Sequence, residues 1–228
     1  MNRFESTLLK KKIVGPRTVL LQFEDVFGSW VPGQFVMLEV LLPHEEQVTR
    51  RAYSIANACG SGVLELLIEQ KDDLAKMGTF VLNVPEGSKI LLEGPYGNFK
   101  LREGDERVVL IASGTGLAPL RAMLQECVRT NREAVLLFSS KTNEQAYLKE
   151  ELLEYAKEHE FIQVELFVTR EDTKYNKGRI TKDALLEKLR SVENSRFYLC
   201  GAPEFVKAMQ DALRELGAPL DKLHREQW

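Results

Sequence analysis

The chain has 228 residues, enough for one large domain or two modest ones. Hydrophobic residues make up 44%, as in an ordinary globular protein, and 31 basic residues against 34 acidic ones leave a net charge of −3. That balance excludes a general attraction to nucleic acid or to an anionic membrane. The longest stretches free of charge, such as residues 108–120, are too short to span a bilayer and carry Gly and Pro. The first residues, Met1-Asn2-Arg3-Phe4-Glu5, lack the apolar core of a signal peptide. Cys59, Cys127 and Cys200 are far apart and form no CxxC or iron–sulfur spacing, so a reducing cytoplasm is the expected home. His44, His159 and His224 have no partner at metal spacing, and no metal site is expected.

In chain order, the first hundred residues read as strands. They cover residues 18–23, 34–42 after Pro32-Gly33, 50–56, 63–70, and 89–93 after Pro85-Glu86-Gly87. Short strands with turns between them predict a small antiparallel barrel, with one helical insert at 78–83. Lys10-Lys11-Lys12 reads as a solvated strand start. Near residue 105 the pattern changes to apolar runs alternating with helical periodicity. Strands are expected at 108–112, 134–139, 164–169 and 197–200. Helices are expected at 117–129, 143–159, 181–191 with Thr181 as its cap, and from Pro203 to a stop at Gly217. Such βα units cross over right-handed and build a parallel sheet. The expected division is an antiparallel β-barrel domain over 1–102 and an α/β parallel-sheet domain over 103–228, parted at the polar turn Arg102-Glu103-Gly104-Asp105.

Two stretches carry chemistry. Arg50-Arg51-Ala52-Tyr53-Ser54-Ile55-Ala56 reads as a strand with Arg51 and Tyr53 on one face and Ser54 on the other. An arginine beside an aromatic ring suits a ligand with a phosphate at one end and a flat ring at the other; the plainer reading is an edge strand with solvated arginines. Ser113-Gly114-Thr115-Gly116-Leu117-Ala118-Pro119 follows a strand and opens a helix, the context in which a glycine turn cradles a dinucleotide's phosphates. Pro119 stands where the usual fingerprint has its third glycine.

With Gly94-Pro95-Tyr96-Gly97-Asn98-Phe99, Tyr198-Leu199-Cys200-Gly201 and the terminal Glu226-Gln227-Trp228, these stretches fall in an order and spacing that resembles the ferredoxin–NADP⁺ reductase family over nearly the whole chain. The resemblance implies a flavin-binding barrel followed by a nicotinamide-nucleotide domain, with flavin chemistry at their seam. It implies that Arg51 pairs with the flavin phosphates and that Tyr53 packs on the isoalloxazine. Ala52 lies between them, and Ser54 hydrogen-bonds near N5. Gly78 and Thr79 would serve the FAD pyrophosphate, although the glycine sits directly before Thr79 rather than three residues earlier. Gly114, Thr115, Gly116 and Pro119 would hold the nucleotide, with Cys200 and Gly201 at the nicotinamide. Cys200 would position the ring rather than attack it; otherwise it is a buried small hydrophobe. Glu226 would route protons. Trp228 would cover the flavin and swing aside for nicotinamide, and it places His224 nearby.

An NADP 2′-phosphate calls for cations at the adenosine end. Lys141 follows the strand ending at Ser140, Thr169-Arg170 ends the next strand, and Arg179 comes shortly after; the placement of Arg170 and Arg179 resembles that in bacterial ferredoxin or flavodoxin reductases, whose arginines grip the 2′-phosphate. Glu171 and Asp172 point toward a free ribose hydroxyl instead. The expectation is therefore FAD as cofactor and NADPH as co-substrate, with NADH as the alternative. Electrons would pass to a separate ferredoxin or flavodoxin, since the chain has no cluster-binding cysteines of its own. The rival readings are an NADH-dependent oxygenase reductase, a free-flavin reductase, and a nucleotide-binding subunit without turnover; fold does not choose among them.

Overall fold

A computed structural model describes residues 3–41, 48–71, 76–104, 107–189 and 191–227. His44, Asp105 and Trp228 lie outside the described residues. Contacts divide the chain into two compact units, Met1–Leu101 with Arg121–Met123, and Arg102–Leu120 with Leu124–Trp228.

The first unit is a six-stranded antiparallel sheet. It holds β1 (Arg3–Gly15), β2 (Thr18–Glu24), β3 (Phe35–Leu41), β4 (Val48–Ser54), β5 (Val63–Glu69) and β6 (Lys89–Tyr96) in the order β4-β3-β6-β1-β2-β5. A single bridge, Ile55 to Leu66, joins the two ends into a barrel. Leu8, Leu21, Phe23, Val36, Leu38, Leu64, Leu66 and Leu92 fill it, and helix α1 (Lys76–Asn83) adds Met77 and Val81. β1 extends well beyond the lysine run. It carries a bulge between Leu8 and Lys10. Lys11 is not a solvated lysine: its ammonium donates to the carbonyls of Leu82 and Val84 at 2.8 and 2.9 Å, capping the C-terminal end of α1.

Two charged networks stiffen this unit. Glu39 and Glu93 are nearly buried. Arg3 and Arg50 approach Glu39 at 2.5 and 2.6 Å, Arg50 also pairs with Glu93, and the Tyr96 hydroxyl donates to Glu93 at 2.5 Å. The Tyr96 hydrogen bond, opposed by burial and helped by Arg50, holds the Glu93 carboxyl below its usual range. The second network centres on Arg121. It donates to Glu65 at 2.5 Å and to the Ala56 carbonyl at 2.7 Å, and Gln22 donates to the other Glu65 oxygen at 2.6 Å.

The second unit is a six-stranded parallel sheet. Its strands are β7 (Arg107–Ser113), β8 (Ala134–Ser140), β9 (Ile162–Val168), β10 (Asn176–Lys177), β11 (Ser195–Gly201) and β12 (Leu223–Gln227), in the order β10-β9-β8-β7-β11-β12. The central strands are buried on both faces, as a parallel sheet covered by helices requires. Helices α2 (Leu117–Arg129), α3 (Lys149–Glu158), α4 (Lys182–Leu189) and α5 (Pro203–Glu215) follow the expected pattern in three cases out of four. Thr181 caps α4, its hydroxyl accepting from the Ala184 amide at 3.2 Å, and Gly217 ends the α5 turn at φ +84°.

The third helix differs. It begins at Lys149, not near 143, behind Leu148 in a left-handed conformation at φ +56°. Asn143 instead bonds to the loop after β9, so residues 143–148 are held as turns.

Arg121 and Glu65 each keep only 6% of their side-chain surface exposed. Arg121→Ala therefore leaves a buried carboxylate without its cation and should cost about 3–5 kcal/mol, while Arg121→Met with Glu65→Leu should cost far less. Urea unfolding of both variants followed by tryptophan fluorescence checks this.

Candidate functional site

The order of the parallel sheet reverses beside β7: the chain runs outward through β8, β9 and β10, then returns to place β11 on the other side. The C-terminal ends of β7 and β11 therefore flank a switch point, where open α/β sheets bind ligands. Gly114–Gly116 form a 3₁₀ turn there, and α2 starts at Leu117. Gly114 takes φ +55°. Gly116 lies so close to β11 that an added Cβ would sit 2.3 Å from the Cys200 carbonyl oxygen. Pro119 is buried in the first turn of α2, where its missing N–H leaves nothing unsatisfied.

Cys200 is fully buried, and burial first, then the Glu226 carboxylate, push its thiol well above the usual range. β12 pairs with β11 so that Glu226 lies opposite Cys200 and His224 opposite Tyr198. Gly114, Thr115, Gly116, Cys200, Gly201 and Glu226 thus gather at one end of one sheet. The thiol stays protonated there and has no character of a nucleophile. His224 is a packing residue: its ring stacks on Tyr198 at 5.1 Å and lies 3.2 Å from Arg196. Burial, Arg196 and Arg102 hold its pKa below the ordinary value.

The adenosine-end residues meet at the same edge, at the ends of β8 and β9. The Arg170 amide donates to the Lys141 carbonyl at 3.0 Å, and the Gly178 amide beside Arg179 donates to Val168 at 2.8 Å. Lys141, Arg170 and Arg179 are exposed, and none pairs with a carboxylate among the described residues. Thr169 is tied inward, its hydroxyl donating to the Ser140 carbonyl at 3.2 Å. Glu171 and Asp172 both have partners: Asn143 donates to Glu171 from its side chain at 2.7 Å and from its main chain, and Lys177 pairs with Asp172 at 2.5 Å.

In the barrel, Arg51, Ala52, Tyr53 and Ser54 end β4. Arg50 and Arg51 divide their work. Arg50 is consumed by Glu39 and Glu93, whereas Arg51 is exposed and, among the described residues, donates its side chain to the Arg50 carbonyl at 2.9 Å. Its remaining donors match the fork geometry of a phosphate. Tyr53 packs against the barrel core, and burial raises its hydroxyl pKa to about 12, so it presents a neutral ring. Gly78 is buried in the first turn of α1 against Gln70, where a Cβ would meet Gln70 Cγ at 2.8 Å. Gln70 donates to the Thr79 hydroxyl at 2.8 Å, which leaves that hydroxyl its own proton to donate outward. This donor set fits a flavin dinucleotide: one guanidinium, one hydroxyl, the first-turn amides of a helix, and a neutral ring. The roles of Arg50 and Asn143 are not legible in the sequence, because each depends on a partner on another strand or loop, Glu93 for Arg50 and Glu171 for Asn143.

These two units have counterparts among known proteins. Residues 6–101 match the oxidoreductase FAD-binding domain and residues 110–211 the oxidoreductase NAD-binding domain. The chain belongs to the ferredoxin–NADP⁺ reductase-like family of two-domain flavin oxidoreductases. It is 29% identical over 205 residues to a flavohemoprotein of Bacillus subtilis, covering 85% of this chain and 50% of that one. It is 32% identical over 193 residues to the toluate 1,2-dioxygenase electron transfer component of Pseudomonas putida, covering 83% and 56%. The chain thus spans little more than half the length of these curated relatives. The FAD/NAD-binding domain of nitric oxide dioxygenase from Vibrio cholerae superposes with a TM-score of 0.92 over 98% of both chains at 20% identity, a likeness of fold. Among the described residues, no helix is long and apolar enough to cross a membrane and no cluster of His, Cys, Asp or Glu could hold a metal ion.

Arg51→Ala should weaken flavin retention by about 1.5–3 kcal/mol, the range for a hydrogen bond to a charged group. Flavin absorbance after exhaustive dialysis reads it directly, and unchanged retention removes Arg51 from the site. Cys200→Ser should slow reduction by nicotinamide nucleotide without abolishing it, and the native thiol should resist iodoacetamide at neutral pH. A stopped-flow trace and a mass spectrum check the pair.

Proposed function

We propose that this chain is a reductase that takes hydride from NADPH, with FAD as its prosthetic group, and passes electrons to a separate ferredoxin or flavodoxin. Bound FAD supplies the conversion between two-electron and one-electron transfer. The residues do the rest. Arg51 and the first turn of α1, with Gly78 and Thr79, hold the flavin's phosphates. Tyr53 gives the ring a neutral face, and Ser54 hydrogen-bonds near N5. The turn from Gly114 to Gly116 and the start of α2 hold the nucleotide's pyrophosphate. Cys200, kept protonated by burial, positions the nicotinamide, and Glu226 beside it carries protons. Trp228, outside the described residues, is the expected cover over the flavin. Three unpaired thiols suit a cytoplasmic enzyme.

The observation that carries this reading is the gathering of the glycine turn, the buried thiol and Glu226 at the switch point of the sheet. The choice of NADPH rests on charge: Lys141, Arg170 and Arg179 have no carboxylate partner among the described residues, while Glu171 and Asp172 are both engaged. A second reading is an NADH-dependent reductase serving an oxygenase; the toluate 1,2-dioxygenase electron transfer component among the relatives supports the oxygenase partner.

Purified protein should be yellow and release FAD in stoichiometric amount on denaturation. It should reduce a ferredoxin or flavodoxin faster with NADPH than with NADH. Substituting Arg170 and Arg179 together by Ala should raise KM for NADPH by about two orders of magnitude, as loss of two charge-assisted contacts implies, and leave KM for NADH nearly unchanged. A wild type that prefers NADH favours the oxygenase reading, and a colourless protein active with added flavin favours a free-flavin reductase.

A further inference from the structure

We propose that Asn143 is a positioning residue for nucleotide selection: it ties Glu171 into the loop after β8 and so keeps that carboxylate from opposing a 2′-phosphate. The inference rests on the proposed phosphate site at Lys141, Arg170 and Arg179. Glu171 follows Arg170 directly, so a carboxylate stands next to the cation meant for a dianion. A carboxylate at that end of a nucleotide does two things. It accepts a hydrogen bond from a free ribose hydroxyl, and it repels a phosphate. Both favour NADH.

Asn143 removes this conflict with every polar group it has. Its main-chain N–H and its side-chain amide nitrogen both donate to the same oxygen of Glu171, the second at 2.7 Å. The amide nitrogen also donates to the Asp172 carbonyl at 3.0 Å, its side-chain oxygen accepts from the Thr173 hydroxyl at 2.8 Å, and its carbonyl accepts from Lys149 at 2.8 Å. Two N–H donors on one oxygen fix the direction of the carboxylate and offset part of its charge. An aspartate here would repel Glu171, and an alanine would offer only the main-chain donor. Asp172, the other acid in the loop, is paired with Lys177 at 2.5 Å. The loop therefore presents its cations and occupies its anions.

The test compares wild type, Asn143→Ala, the double variant Asn143→Ala with Glu171→Gln, and the Arg170→Ala, Arg179→Ala pair. Initial rates are measured with NADPH and with NADH, and circular dichroism confirms folding. Asn143→Ala should raise KM for NADPH by about tenfold with kcat unchanged and KM for NADH no higher, the pattern of lost ground-state binding. Adding Glu171→Gln should bring KM for NADPH back to within about twofold of wild type, because the released group is then neutral. A mere collapse of the loop would not be rescued in this way. The inference is overturned if Asn143→Ala leaves the NADPH-to-NADH ratio unchanged, or if Glu171→Gln fails to restore it. If the arginine pair raises KM for NADPH while Asn143→Ala does nothing, the phosphate site stands and only the role of Asn143 falls. If the arginine pair has no effect, or the wild type prefers NADH, both fall.

Discussion

At the end of β11 there is no room for a side chain on either of two glycines. A Cβ on Gly116 would lie 2.3 Å from the Cys200 carbonyl oxygen, and one on Gly201 would lie 2.1 Å from the Ser113 hydroxyl oxygen. The Cys200 atom belongs to a strand whose hydrogen bonds fix it on both sides, so it cannot move aside. Gly201 also holds φ +151°, outside the range other residues adopt comfortably. This close approach of backbone to backbone is what seats the glycine turn against the strand end. The start of α2, the buried thiol and Glu226 share one place because of it. Phosphate binding is usually given as the reason for glycine in such a turn. Here the packing of the turn on β11 requires Gly116 independently of any ligand.

How much of this was legible follows from how far each residue's partners lie along the chain. The two classes of sheet were readable because each strand advertises itself locally, by turn residues in the barrel and by apolar runs in the second unit. β12 was not. Leu223-His224-Arg225-Glu226-Gln227 has no apolar alternation, and it is a strand because the free edge of β11 offers it a ladder. The start of α3 differs from the sequence expectation for a related reason: residues 143–148 have helical composition, but Asn143 bonds to the loop after β9 instead of joining a helical turn. Lys11 looked solvated, yet it caps a helix that begins sixty-five residues later.

The candidate site residues were legible as types and not as states. Arg50 and Arg51 are neighbours with the same side chain. On a strand they face opposite ways, and only one face carries Glu39 and Glu93. Arg50 therefore spends its charge on Glu39 and Glu93, and Arg51 stays exposed. Burial of Glu39 and Glu93 makes the first pairing obligatory, since an unpaired carboxylate there would be costly. The doubling of arginine that marks the sequence is thus one residue paired within the fold and one left exposed, the one proposed for the flavin phosphates, and nothing local distinguishes them.

The same division settles which charges the second unit offers to a nucleotide. Counted along the chain, residues 170–172 read Arg, Glu, Asp, a net negative triplet that suits a ribose hydroxyl. In the fold the two acids are occupied, one by Asn143 and one by Lys177, while Arg170 is brought beside Lys141 by a main-chain hydrogen bond. A ligand meets the charges left over after internal pairing. Because Asn143 stands in the loop after β8 and Glu171 in the loop after β9, that remainder is set by two adjacent strands together. On the proposed reading, nucleotide preference at this edge is a property of the pair of loops, and exchanging either one alone would change it.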